Sequence, residues 1–240
     1  MSISSFNASI TEYARGKKWY WYLPLWLFGI YVFWQLFVFN MADNQMPFVL
    51  LIPYSFDFVM HEFAHIFTAF LPPVMTASAG SGSELLLGII LVVMAFWQRS
   101  YFASLFSSLW FALACQSAGQ YIADAIPQHL QLVSLGAALS GGDAKHDWHF
   151  VFGQLHLLDA SYAIGNSLRF IGMAAAFLGL LFTAWLIYKM AATPAQVANA
   201  ENAPFSLANT GAVPAKPKPL HDSGFTSLPF SDERSKDVNH

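Results

Sequence analysis

Charged side chains are scarce in this sequence. Asp, Glu, Lys and Arg make up 10% of its 240 residues, whereas hydrophobic residues make up 56%. A soluble domain carries about 25% charged residues, so this chain has too few charges to cover a water-facing surface. Aromatic residues account for 17% of the chain, and aromatic side chains fill bilayer cores and mark membrane interfaces. The composition therefore excludes an ordinary soluble protein and predicts a membrane protein.

Other absences narrow the functional classes. The net charge is −3 and no basic patch is present, which argues against a nucleic-acid partner. A single cysteine, Cys115, excludes an internal disulfide, and its position in an apolar run is typical of a small packing residue. The first apolar run is too long for a signal-peptide core and no A-x-A-like cleavage site follows it. We interpret this run as an uncleaved signal anchor.

The apolar segments predict an all-α, polytopic membrane helix bundle of about five transmembrane helices, since a spanning helix needs about 20 apolar residues. The bundle would occupy residues 19–191. Basic residues before it place the N-terminal segment, residues 1–18, in the cytoplasm. Residues 192–240 have few apolar side chains and are expected to be a disordered tail. The expected spans are Trp19–Met41, Pro47–Leu71, Glu84–Gln98, Tyr101–Ala125 and Leu168–Met190.

Two further expectations follow from this order of spans. The stretch Thr76–Ser83 is rich in small residues and follows Pro72 and Pro73, which cannot continue a helix, so we expect a loop there. Four spans separate the N-terminus from the long loop at about residues 127–163. These two segments should therefore lie on the same face of the membrane.

The second expected span contains the sequence His61-Glu62-Phe63-Ala64-His65. Histidines four residues apart stack on one helix face, which lets two imidazole nitrogens reach one Zn²⁺ at about 2.0–2.1 Å. Glu62 would hydrogen-bond a water molecule rather than the metal, and could act as a general base. Ionisable side chains in a span cost roughly 2.5–3.5 kcal/mol each on insertion scales. We therefore favour a zinc site over histidines that only hydrogen-bond to neighbouring helices.

A catalytic zinc site usually has three protein ligands, so a third must be found. Asp57 lies one turn before His61 and could accept a hydrogen bond from its ring; an interhelical hydrogen bond is the alternative. The fourth span carries a polar stripe that has to face protein or water. Asp124 of that stripe is the first choice for the third ligand, and the alternative is that it anchors the helix end. The stripe comprises Gln116, Gln120 and Asp124.

The long loop offers other ligands. Read as an interfacial helix over about residues 144–159, it places His146 and His149 on one face, opposite an apolar face. Either histidine could complete the metal site or bind a second metal. The alternative is that both are only hydrogen-bonded at the membrane interface.

The His61–His65 motif resembles that of the site-2-protease-like intramembrane zinc metallopeptidases. This resemblance implies that His61 and His65 are zinc ligands, that Glu62 is the catalytic residue, and that an aspartate of a later span, here Asp124, is the third ligand. A closer likeness, over about Phe58–Gly165, is to bacterial polytopic membrane proteins of unassigned function, which implies a multi-pass protein of the bacterial inner membrane. Four segments carry that likeness: His61–His65, Gly80–Gly82, Tyr121–Ala125 and His146–Trp148.

Two functional hypotheses remain. The first is a membrane-embedded zinc metallohydrolase of the site-2 type, acting on another membrane protein or a lipid-linked amide, with Gln116 or Gln120 donating a hydrogen bond to the oxyanion. The second is a non-enzymatic metal-binding scaffold or sensor subunit, whose metal site would be closed by four protein ligands. Metal transport is a third, weaker alternative. The expected partners are the lipid bilayer and a membrane-protein substrate, with a homo-oligomer left open.

Overall fold

The computed structural model describes residues 3–43, 46–130 and 146–193. Within these ranges the chain forms helices and no strand, which confirms the all-α fold class for them. The expected tail lies outside the described residues from 194 onward. The α-helices are α1 (Ile3–Ala14), α2 (Tyr22–Val38), α3 (Phe48–Phe67), α4 (Pro73–Trp97), α5 (Ala103–Ala123), α6 (Asp147–Leu155) and α7 (Ser161–Ala192), with short 3₁₀ turns at Trp19–Trp21, Met41–Asp43 and Leu158–Ala160.

Three helical segments among the described residues are long and apolar enough to cross a membrane. They are Trp19–Val38, Pro73–Trp97 and Leu158–Ala192, and they indicate a membrane protein. Helices α3 and α5 are of similar length but carry most of the polar residues singled out above. Fourteen of the 21 residues of α5 are buried by its neighbours, so protein rather than lipid surrounds most of its polar side chains.

Glycines of α7 allow α5 and α7 to pack closely against each other. Gly165, Gly172 and Gly179 recur every seven residues on α7 and face α5. A β-carbon at Gly172 would collide with Cys115, and one at Gly165 would collide with the Gly119 backbone. Small residues let two helices approach closely in a membrane. Cys115 is fully buried in this contact.

The stretch expected to be a loop, Thr76–Ser83, is instead part of α4. Pro73 occupies the first turn of α4, where a missing N–H costs no helical hydrogen bond. The small residues serve packing rather than a turn, because a β-carbon at Gly80 would collide with the His61 ring of α3. The expected span Glu84–Gln98 was therefore too short at its start.

Helices α2 and α3 both end at the same end of α5. At the start of α5, the rings of Tyr22 and Phe102 lie 4.9 Å apart. Near the end of α5, Gln120 Nε2 donates to the Phe39 carbonyl oxygen, just beyond α2, at 3.2 Å. The ring of His61, in the last turns of α3, lies 6.2 Å from the ring of Tyr121. The contacts thus place the last turns of both helices at the same end of α5.

The N-terminal helix and α6 consequently lie at opposite ends of α5. Ser9 of α1 is hydrogen-bonded to the Tyr101 hydroxyl, just before α5, at 2.8 Å. At the other end, Asp124 Oδ2 lies 3.5 Å from His146 Nε2, just before α6. A helix of 21 residues is about 30 Å long. The described parts of the N-terminus and of the loop therefore lie at opposite ends of α5, whereas the sequence predicted that both segments lie on the same face of the membrane.

Candidate metal centre

The two histidines of the motif lie one turn apart on α3, with ring centroids 4.8 Å apart. His61 Nδ1 lies 2.7 Å from Glu84 Oε1, and His65 Nδ1 lies 2.9 Å from the Thr76 carbonyl oxygen. Carbonyl and carboxylate oxygens accept hydrogen bonds, so we assign the ring proton of each neutral histidine to Nδ1. This assignment leaves a lone pair on each Nε2 atom.

Both Nε2 atoms face the carboxylate of Asp147, the first residue of α6. Asp147 Oδ2 lies 3.7 Å from His61 Nε2 and 3.4 Å from His65 Nε2. A charge-assisted hydrogen bond would measure about 2.7–2.9 Å. Ligand atoms around tetrahedral zinc lie about 3.3–3.4 Å apart, because the bonds are about 2.0–2.1 Å long. The observed distances are longer than those of a charge-assisted hydrogen bond and close to the spacing of ligands around a cation.

These three side chains form what we call the metal group: His61, His65 and Asp147. Their ligand atoms all lie within 4.8 Å of one another. Burial raises the pKa of the Asp147 carboxyl, but the neighbouring imidazoles outweigh burial and lower this pKa to about 2. Asp147 is therefore an anionic oxygen donor beside two imidazoles, and such a donor set suits zinc.

Glu84 of α4 supports the metal group and was not linked to it by the sequence. Its buried carboxylate contacts His61 Nδ1 through Oε1 and accepts a hydrogen bond from Ser117 Oγ through Oε2, at 3.2 Å. A carboxylate on the outer nitrogen of a metal-binding histidine fixes the ring and raises its basicity. The signal was present in the sequence: once α4 begins at Pro73, Glu84 lies in mid-helix and needs a partner.

Asp57, expected to support His61, has a different partner. Its Oδ1 accepts a hydrogen bond from Trp110 Nε1 at 2.8 Å, which corresponds to the interhelical alternative. Its Oδ2 is buried without a hydrogen-bond partner among the described residues. Glu84 thus has the position beside His61 that the sequence analysis gave to Asp57.

The two glutamines of the expected polar stripe are occupied away from the histidines. Gln116 Oε1 accepts a hydrogen bond from Arg169 Nε of α7 at 2.9 Å. Gln120 accepts from the Met41 N–H at 2.8 Å and donates to the Phe39 carbonyl. Both side chains tie α5 to its neighbours through these hydrogen bonds.

Asp124 anchors the turn after α5. Its two carboxylate oxygens accept hydrogen bonds from the N–H groups of His129 and Leu130, at 2.9 and 3.0 Å. Asp124 also lies close to His146. The carboxylate that faces the two histidines of the motif is that of Asp147, and not that of Asp124 as the sequence predicted. The structure thus agrees with the alternative interpretation of Asp124, as an anchor of the helix end.

His146 and His149 also have roles apart from the metal group. His146 precedes α6 and caps it, because its Nδ1 accepts the His149 N–H at 3.2 Å. Burial lowers the pKa of His146, which keeps Nδ1 available as an acceptor. The ring stacks on Tyr121 with centroids 4.4 Å apart. His149 Nδ1 donates to the Ala125 carbonyl at 2.7 Å.

Helix α6 is shorter than the interfacial helix expected at 144–159. Residues 144 and 145 lie outside the described ranges, and α6 ends at Leu155 because His156 adopts a left-handed conformation, with φ 56°. Val151 and Phe152 are buried in one cluster with Ile122 of α5. Packing against the bundle places Asp147 at the two histidines.

One face of α5 supplies a hydrogen-bond donor to each of three carboxylates. The spacing of seven and then four residues puts all three donors within about 40° of one another around the helix. The sequence analysis missed this donor face because Trp, Ser and Tyr do not stand out as a polar stripe. The donor–acceptor pairs are Trp110 with Asp57, Ser117 with Glu84, and Tyr121 with Asp147.

Glu62, the acid of the motif, is buried on α3. It interacts electrostatically with Tyr121, whose hydroxyl contacts the Asp147 carboxylate. Glu62 therefore lies in the electrostatic environment of the metal group without being one of its three members.

The chain matches no protein-family model, and comparisons with curated proteins and with solved structures found no significant match.

Proposed function

We propose that this protein is a membrane-embedded zinc metallohydrolase of the site-2 peptidase type, with zinc held by His61, His65 and Asp147. The observation that carries this proposal is the convergence of two Nε2 lone pairs on one carboxylate oxygen at ligand spacing. Within the described ranges the group has three members. Catalytic zinc sites have three protein ligands and one open position, whereas structural sites have four.

The residues around the metal group would have separate roles in the reaction. Bound zinc would act as a Lewis acid and lower the pKa of water. Glu62, next to a zinc ligand in sequence, would accept the proton of the attacking water and return it to the leaving amine. Glu84 and the Thr76 carbonyl hold the two rings with Nε2 inward. Gln116 and Gln120 have other partners and are not assigned to the oxyanion.

The surroundings of the motif support a substrate that arrives from the lipid. A groove of about 610 Å³ lies between α3 and α4, and its wall is almost wholly apolar. Two of its lining residues, Phe63 and Ala64, belong to the motif, whereas no member of the metal group lines it, so the groove lies beside the metal group. We infer a multi-pass protein of the bacterial inner membrane that acts on a membrane protein or a lipid-linked amide. The other lining residues are Met60, Phe67, Thr68, Ala79, Gly82, Ser83 and Leu86.

Substituting the proposed zinc ligands and the proposed general base in separate variants tests this function. Asp147→Asn and His61→Ala should lose most of the zinc found in detergent-purified protein by elemental analysis, whereas Asp124→Asn should retain it. Glu62→Gln should retain zinc and fail to complement a deletion strain, because loss of a positioned general base typically costs about 10²–10⁴-fold in rate.

Two outcomes would count against the proposal. Equal zinc in wild type, Asp147→Asn and His61→Ala would remove the metal site. A Glu62→Gln protein that keeps zinc and complements fully would remove the hydrolase and leave the alternative, a non-enzymatic metal-binding scaffold or sensor.

A further inference from the structure

The third member of the metal group comes from a separate element. His61 and His65 share α3, but Asp147 begins α6, which follows α5 in the chain and packs against its end. A carboxylate on a nine-residue helix needs a fixed point if it is to keep ligand geometry. The described structure supplies one at Asp147 itself.

That fixed point is the hydroxyl of Tyr121. It accepts a hydrogen bond from the Asp147 N–H at 2.9 Å and donates one to Asp147 Oδ2 at 3.2 Å. One hydroxyl therefore holds both the backbone and the side chain of the same residue. The N–H is one of the unpaired donors at the start of α6, and Oδ2 is the oxygen that faces both histidines.

The Tyr121 ring is itself held in place by the helix that carries it and by a stacked histidine. It belongs to the buried helix α5, and it stacks on His146 with an interplanar angle of 30°. His146 in turn lies 3.5 Å from Asp124. Two sequence segments noted separately, Tyr121–Ala125 and His146–Trp148, thus meet in one arrangement around Asp147.

We propose that Tyr121 is a positioning residue that sets the metal affinity of the site by orienting the Asp147 carboxylate. This inference rests on the proposed metal group, although not on the hydrolase chemistry. Oδ2 has two lone pairs: the Tyr121 hydroxyl occupies one, which leaves the other directed at the histidine pair. Outer partners of metal ligands typically contribute about 10–100-fold to metal affinity.

Zinc titration of the full chain in detergent, in competition with a chromophoric chelator, tests this role. Tyr121→Phe keeps the ring that stacks on His146 and should bind zinc about 10–100-fold more weakly, with an altered visible spectrum of bound Co²⁺. Tyr162→Phe, at a side chain that is 72% exposed, should match wild type. In the Asp147→Asn background, Tyr121→Phe should have no further effect, since the hydroxyl acts through the lost carboxylate.

The possible results separate this inference from the metal site. If Asp147→Asn weakens zinc binding and Tyr121→Phe remains within twofold of wild type, the positioning role is wrong and the metal group stands. If Tyr121→Phe weakens binding equally with and without Asp147, or destabilises the metal-free protein to heat, its role is structural and the inference is overturned. If neither Asp147→Asn nor His61→Ala affects binding, the metal group fails and the inference fails with it.

Discussion

Replacing Gly80 by alanine should block the metal group without removing any ligand. Gly80 of α4 lies against the ring of His61. An added β-carbon would lie 2.6 Å from both Cδ2 and Cε1 of that ring, and still closer to Nε2. Ordinary van der Waals contact begins at about 3.4 Å, so the ring or the helix has to move by about 0.8 Å to restore ordinary contact with these two carbons.

A movement of that size exceeds what zinc coordination tolerates. Metal–ligand distances in genuine sites stay within about ±0.2 Å of their standard values, and the β-carbon would also occupy the space in front of Nε2. We expect Gly80→Ala to weaken zinc binding by about 100-fold, the upper end of the loss in metal affinity that follows when the support of a ligand is disturbed. Zinc affinity would be measured by chelator competition in detergent, beside the thermal unfolding of the metal-free protein.

Two glycines of the same helix provide matched controls. A β-carbon at Gly82 meets nothing within 4 Å, so Gly82→Ala should leave zinc affinity unchanged. A β-carbon at Gly88 would lie 2.8 Å from Phe111 Cα, so Gly88→Ala creates a clash away from the metal group. It should lower thermal stability while the folded protein keeps its zinc affinity. Wild-type zinc affinity in Gly80→Ala would show that His61 Nε2 does not face a metal.

Two further predictions concern the support of the site and its place in the membrane. Glu84→Ala should weaken zinc binding about 10–100-fold, because the His61 ring loses the carboxylate that holds it. Glu12→Ala, at an exposed side chain of α1, should bind zinc like wild type. Equal affinities in the two variants would show that Glu84 does not support the site. Cysteines at Ala8 and Gln154, both exposed, should react with an impermeant maleimide from opposite faces of oriented vesicles, over a low background from buried Cys115. Labelling from one face would contradict the helix directions described above.

The sequence predicted the helical class and the two histidines because those features are local. A 3.6-residue period fixes which face His61 and His65 share, whatever the rest of the chain does. The start of helix α4 was harder to predict, because glycine and serine occur both in turns and where two helices pack closely. Its true start became apparent only from the packing of Gly80 against His61.

The third member of the metal group could not be chosen from the sequence, because the choice depends on how α6 packs. Asp124 and Asp147 both lie near the end of α5 that faces the histidines. Asp124 is held by the N–H groups of the turn that follows it, while Asp147 reaches the histidines because α6 folds back onto α5. The pairing depends on contacts between helices, which no local sequence pattern determines. Glu84 was missed for a related reason, since its relation to His61 spans two helices.

The charges around the metal group give a further argument for a divalent cation. Asp147 and Glu84 both contact histidine rings, and no lysine or arginine forms an ion pair with either carboxylate among the residues that the structure describes. Ionised groups inside a bilayer are costly unless they are paired or coordinate a metal. Protonated histidine rings would balance these carboxylates, and so would one dication between His61, His65 and Asp147. Of the two, only the dication uses both Nε2 lone pairs, which supports the proposed zinc site.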